Sequence, residues 1–226
     1  MKNDFITKKF AFTLAEVLIT LGIVGIVAAM TIPTLMQKQF EKQAVSKLRE
    51  TQSILAQSIR MAEEENGDVS GWGVDVQSSA SAIKIAENIK PYLKLAHDCG
   101  ISDENHICVT SQGYKLLNGS EQGRLGLYGE RTECYKILLA NGSAIWWRGG
   151  MDGGQRNITF WIDINGKSLP NTYGKDLFVF SYENNSIKPL GAENSDSPWK
   201  TSCTKLSTGY GCAYYVLQNQ NMNYLH

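Results

Sequence analysis

The sequence predicts an α+β fold in which one long N-terminal helix packs against an antiparallel β-meander. Three observations predict it. Apolar residues recur at helical spacing through the first third of the chain, up to Asn66-Gly67. After residue 110 the period falls to two, as in half-buried strands. Asn-Gly turn signals, Asn141-Gly142 and Asn165-Gly166, punctuate those alternating runs.

The helix begins in "FAFTLAEVLITLGIVGIVAAMTIPTLMQK". From Val17 to Met36 there are 20 residues without a formal charge, a length of about 30 Å at about 1.5 Å per residue. Lys2, Lys8 and Lys9 precede it and favour keeping that end in the cytoplasm. The apolar pattern then narrows to a stripe, Phe40, Ala44, Leu48, Leu55, Ile59 and Ala62, and stops at Asn66-Gly67. A discarded secretory leader with a cut near Val27-Ala28-Ala29, a plain signal anchor, and a retained run cut ahead of its apolar stretch all begin this way. Glu16 separates them. A carboxylate at the edge of hydrocarbon is costly and brings no benefit to secretion, and a helix that continues to residue 66 is an odd product for a leader.

The stretch "KKFAFTLAEVLITLGIVGIVAAMTIPTL" resembles the prepilin leader and N-terminal helix of type IV pilins and type II secretion pseudopilins. Basic residues end the leader, an aromatic follows, then "TL", and a Glu four residues after the aromatic. The resemblance is close over residues 8 to 40 and architectural beyond. It implies cleavage between Ala11 and Phe12, N-methylation of Phe12, and pairing of the Glu16 carboxylate with the Phe12 amine of a neighbouring subunit. One position departs from the pattern: the family has Gly before the cut, where this chain has Ala11, so slower cleavage is expected. Pro33 falls where pilins often carry a helix-loosening proline; it lacks the N–H that would bond residue 29, so a break or bend is expected there. Gly22, Gly25, Ala28 and Ala29 are small enough for close helix approach, or are simply lipid-facing.

The expected organisation is a leader, 1–11; a long helix, 12–66, whose membrane-spanning half is about 14–36; and a globular, pilin-like head, 67–226. Within the head, "GDVSGWG" reads as a loop. A short helix follows from Ser79 or Ser81, interrupted by Pro91. "CYKILLANGSAIWWR" reads as a hairpin with a type I′ turn. In "NITFWIDI", Ile158, Phe160, Ile162 and Ile164 share one face, with Thr159, Trp161 and Asp163 on the other. "DLFVFSY" adds a further strand, giving about four in all. Trp146, Trp147, Trp161, Tyr214 and Tyr215 are expected to pack the sheet rather than form an exposed binding patch.

The five cysteines all lie beyond residue 98. Outside the cytoplasm they are expected to form disulfides. Cys203 is expected to pair with Cys212, which ties a terminal loop, and Cys99 with Cys108, leaving Cys134. About fifteen two-bridge arrangements are combinatorially open, and spacing alone does not choose among them.

The loop "DINGKSLPNTYGKD" offers Asp163, Asn165 and Asp176 as oxygen ligands around glycine turns, the donor set calcium takes. The resemblance adds that major pseudopilin heads bind calcium in a loop. The full calcium-loop spacing with a distal Glu is absent, however, and Asp163 and Asn165 also serve as strand-end and turn residues. No other cofactor is implied.

Formal charge is +0, with 22 basic and 22 acidic residues, which argues against general nucleic-acid binding. The only histidines are His97, His106 and His226, and no nucleophile motif, phosphate-cradling loop or zinc spacing is present. An enzyme is therefore not expected. The resemblance implies a filament subunit, single-pass in the bacterial inner membrane with its head outside the cytoplasm. Its partners would be a prepilin peptidase/methyltransferase, an assembly platform, and copies of itself or other pilins. The alternative is a membrane-anchored or secreted adhesin that is never built into a filament.

Overall fold

The structure is a computed structural model that describes residues 13–74, 78–120, 133–152, 155–183, 185–191 and 203–226. The chain is α+β, a long N-terminal helix packed on a six-stranded antiparallel sheet. Two compact units divide it, Met1–Glu41 and Lys42–His226. The division falls inside the long helix, ahead of its amphipathic part. The cause is the amphipathic stripe: Ala44, Leu48, Leu55, Ile59 and Ala62 are all buried, so residues 42–66 belong to the head's core.

Helix α1 spans Leu14–Asn66 without interruption. The break expected at Pro33 is not found, and the proline sits inside continuous helix. One lost hydrogen bond is a local cost that helix on both sides outweighs. In the first unit the large apolar side chains from Leu14 to Met36 are exposed. Thr20 and Thr31 turn their hydroxyls back onto the Val17 and Val27 carbonyls, at 3.0 and 2.9 Å, which hides polar groups within the helix's own backbone. This is one helix long and apolar enough to cross a membrane.

In the second unit the chain leaves α1 at Gly67 (φ 78°) and enters α2, Ser79–Ile89, capped by the Ser78 side chain on the Ser81 N–H. The sheet is a meander: β1 Leu95–Gly100, β2 Tyr135–Leu139, β3 Ala144–Asp152, β4 Gln155–Asp163, β5 Leu177–Glu183 and β6 Ser186–Pro189, adjacent in that order. Six strands stand where about four were expected, because the two edge strands carry little pattern. β1, "LAHDCG", is largely exposed and twice shifted in register, and β6 has four residues.

Asn141-Gly142 does connect β2 and β3, but not as the type I′ turn the dipeptide predicts. Of the two, only Gly142 has positive φ, 83°. The Gly142 N–H bonds Leu139 O, the Leu139 N–H bonds Ser143 O, and the Ser143 N–H bonds the Asn141 side chain. This is the three-residue alternative, a type I turn closed by a left-handed glycine.

Cross-strand rows set the two faces. Ile145, Ile162 and Phe178 line one face with Trp147, Phe160 and Phe180. There Trp147 Nε1 donates to Ala82 O of α2 at 3.0 Å, and Thr51 of α1 meets Ser143 at 3.0 Å. Trp146, Trp161 and Val179 line the other face, which is also buried, under Val109, Tyr114 and Tyr173. Trp146, Trp147 and Trp161 are thus core, and Tyr214 and Tyr215 are half-buried. Residues 115–118 are stitched by backbone bonds to Asn171 and Tyr173 on one side and to Ser207 and Thr208 on the other. The final α-helix, α3, spans Cys212–Asn219 and buries Cys212, Ala213 and Val216. Gly209 permits this closure, since a Cβ there would lie 2.6 Å from Tyr173 O.

Candidate functional site

Three groups of residues merit description. The first is the start of α1. The cut expected between Ala11 and Phe12 lies outside the described residues. Glu16 is described, and its carboxylate folds back on its own helix end. Thr13 N–H and Thr13 Oγ1 each donate to Glu16 Oε2 at 2.8 Å, while the Glu16 N–H donates to Thr13 Oγ1 at 3.2 Å. This is a reciprocal capping box, written in the sequence as T-x-x-E. The sequence reading attended to the cost of the charge and missed this local use. Gly22 and Gly25 have no atom within 4 Å of where a Cβ would stand.

The second group fills the loop between β4 and β5. It gathers Asp163, at the end of β4, and Asp176, just before β5, with Asn165, and it adds Asn171, which the sequence reading did not single out. Asp163 and Asp176 are fully buried. Asp163 accepts the Tyr114 hydroxyl at 2.7 Å and the Asn165 N–H at 3.1 Å. Asp176 accepts the Thr172 and Asn171 N–H groups at 2.6 and 2.7 Å. Burial first, then the neighbouring Asp176 charge, holds the Asp163 carboxyl well above the usual carboxylate range; the Tyr114 and Asn165 bonds and the Lys47 ammonium oppose it. Burial likewise pushes Asp176 up to about 6, against its two backbone hydrogen bonds. Two buried carboxylates in mutual electrostatic reach cannot both stay ionised without a proton or a cation to offset them.

The amide oxygens complete the picture. Asn165 Nδ2 donates to Leu169 O and Asn171 Nδ2 to Lys167 O, which leaves both Oδ1 atoms buried without a hydrogen-bond partner. Asn171 is 4% exposed and has φ 49°, a backbone state asparagine tolerates better than most residues. An orphaned buried acceptor is costly in isolation. The loop thus holds two carboxylates and two amide oxygens without a hydrogen-bond partner, the donor type a hard cation takes.

The third group is sulfur. Cys99 is bonded to Cys108 (S–S 2.03 Å) and Cys203 to Cys212 (2.10 Å), the two short-range pairs selected from the sequence. The first bridge closes a loop in which the Asp103 carboxylate accepts N–H groups from Ile107, Cys108 and Val109. The Asp103 carboxylate lies within 4.8 Å of both sulfurs of this bridge, and those sulfurs are spent on each other rather than offered to a metal. The second bridge ties the terminal segment to α3.

No known protein family, curated protein or solved structure matches this chain.

Proposed function

We propose that the protein is a structural subunit of a type IV pilus or a type II secretion pseudopilus. In this reading prepilin peptidase cuts it after Ala11, it is N-methylated at Phe12, and it assembles through α1. The observation that carries the reading is the leader-like stretch, with Glu16 at the head of a run whose apolar side chains stay exposed from Leu14 to Met36. Such a surface is satisfied by lipid before assembly and by neighbouring helices after it. Before extraction the chain is a single-pass inner-membrane protein with its head outside the cytoplasm, where its disulfides form. Its partners are the peptidase/methyltransferase, an assembly platform, and its own copies or sibling pilins.

Intact-mass and N-terminal peptide spectrometry on native membrane or sheared-filament fractions tests this. A chain starting at methylated Phe12 is expected. Cleavage removes three lysines and one aspartate, leaving 19 basic and 21 acidic side chains of the original 22 and 22. A start at Met30 would mark a secretory signal and end the filament reading. The adhesin alternative expects Glu16→Ala to be exported and functional; the filament reading expects it to insert but not assemble.

A second proposal concerns the β4–β5 loop, which we read as a calcium site held by Asp163, Asn165, Asn171 and Asp176. The partnerless Asn171 oxygen favours it, and bound calcium would supply the charge that the two carboxylates lack. In chelated full-length protein, added calcium is expected to raise the unfolding temperature by several degrees while equal magnesium does not. No shift with calcium would remove the site.

A further inference from the structure

Cys134 has no part in the readings above. It belongs to neither disulfide. It is buried just ahead of β2, in the same packed cluster as fully buried Cys108, and half-buried Cys99 packs against that cluster. Strand pairing brings the two segments together, since Gly100 of β1 faces Lys136 of β2. The Lys136 ammonium, itself buried, donates to the main-chain oxygen of Ile101 and, at 3.0 Å, to that of Cys134. One cation thus ties the disulfide loop to the residue bearing the third sulfur. The register of β1 also shifts between Asp98 and Gly100, so Cys99 sits at an irregularity of an edge strand rather than in a regular ladder.

We propose that Cys134, Lys136 and the Cys99–Cys108 bridge form an internal thiol–disulfide exchange centre. The Cys134 thiolate attacks the Cys108 sulfur. A Cys108–Cys134 bond forms as the Cys99–Cys108 bond breaks, and Cys99 leaves as a thiolate that takes up the proton Cys134 released. The number of disulfides is unchanged, so neither oxidant nor reductant is consumed. The exchange moves the thiol from a buried position to a half-buried one on β1, where a second thiol-bearing molecule can reach it. A positive charge beside a thiol favours the attacking thiolate. Burial lowers the Lys136 ammonium, while the charges of Cys134 and Asp103 hold it up.

The test is alkylation of oxidised full-length protein in detergent with iodoacetamide, followed by non-reducing peptide mapping. Label on Cys99 together with a linked Cys108–Cys134 peptide is expected, and Cys134→Ala should abolish the label on Cys99. Lys136→Met should slow labelling about three- to tenfold at pH 7.5, the effect of roughly one pK unit less thiolate stabilisation. That difference should close at high pH, which a merely structural lysine would not produce. Label confined to Cys134, no label with the Cys99–Cys108 peptide intact, or equal Cys99 labelling in Cys134→Ala overturns the proposal. Should Cys134→Ala fail to fold, the wild-type map alone decides between these outcomes.

Discussion

At the residue scale, Glu16 carries two possible duties that a single substitution does not separate. Alanine removes both the helix cap and the charge. Glutamine keeps a side chain able to complete the capping box and removes only the charge. If charge pairing between subunits drives assembly, Glu16→Gln is expected to insert normally, keep its helix and fail to appear in sheared filaments. Filaments at wild-type yield would assign Glu16 to capping alone. Asp176 gives a second residue-scale expectation. Its folded pKa, about 6, lies above the ordinary 3.8, so the folded state binds the proton more tightly than the unfolded one. This contribution to stability is complete below about 3.8 and is lost as pH rises through about 6. In chelator, chemical denaturation is therefore expected to show a contribution that fades over this window, worth at most about 3 kcal/mol. Asp176→Asn should flatten it.

At the element scale, α1 does two jobs with one backbone. Leu55 is fully buried, whereas Leu21 is 64% exposed. Leu55→Ala is expected to cost the head about 2–5 kcal/mol in denaturant titration. Leu21→Ala should leave that transition in place and change only membrane or filament behaviour. The terminal bridge is a local staple. Cys203 and Cys212 are separated by nine positions, and closing so short a loop restricts the unfolded chain by about 3 kcal/mol in the entropic account. Paired Cys203→Ser and Cys212→Ser substitutions are expected to lower stability by up to that amount. Loosening should centre on α3 and the 115–118 segment, read by hydrogen exchange. Backbone bonds from Leu117 and Asn118 to Thr208 and Ser207 transmit the tie.

At the scale of the whole molecule, the sheet is buried on both faces, which ordinary strand alternation does not announce. The alternation in β4 correctly separates Ile158, Phe160 and Ile162 from Trp161 and Asp163. The second set is buried as well, covered by residues of the 108–117 and 171–177 segments. The buried Asp163 carboxylate takes one partner from its own loop and the other, the Tyr114 hydroxyl, from 49 positions away. That contact links the acid loop to the core, and Thr51–Ser143 links the same end of the sheet to α1.

The sequence by itself determined the long helix, its change from apolar to amphipathic, the central strands and the α+β class. All of these rest on periodicity over many residues, which short-range sterics and burial enforce directly. The T-x-x-E cap at Thr13 and Glu16 is equally legible, being local to one turn. Only the tertiary structure decided the rest. It enlisted the faint edge strands β1 and β6, which gain hydrogen bonds from neighbours rather than pattern of their own. It chose the wider turn at Asn141-Gly142. It brought Asn171 to Asp176, and set Cys134 in the cluster with Cys108. Those placements depend on contacts between segments far apart in the chain, whose energy does not exist until the core closes.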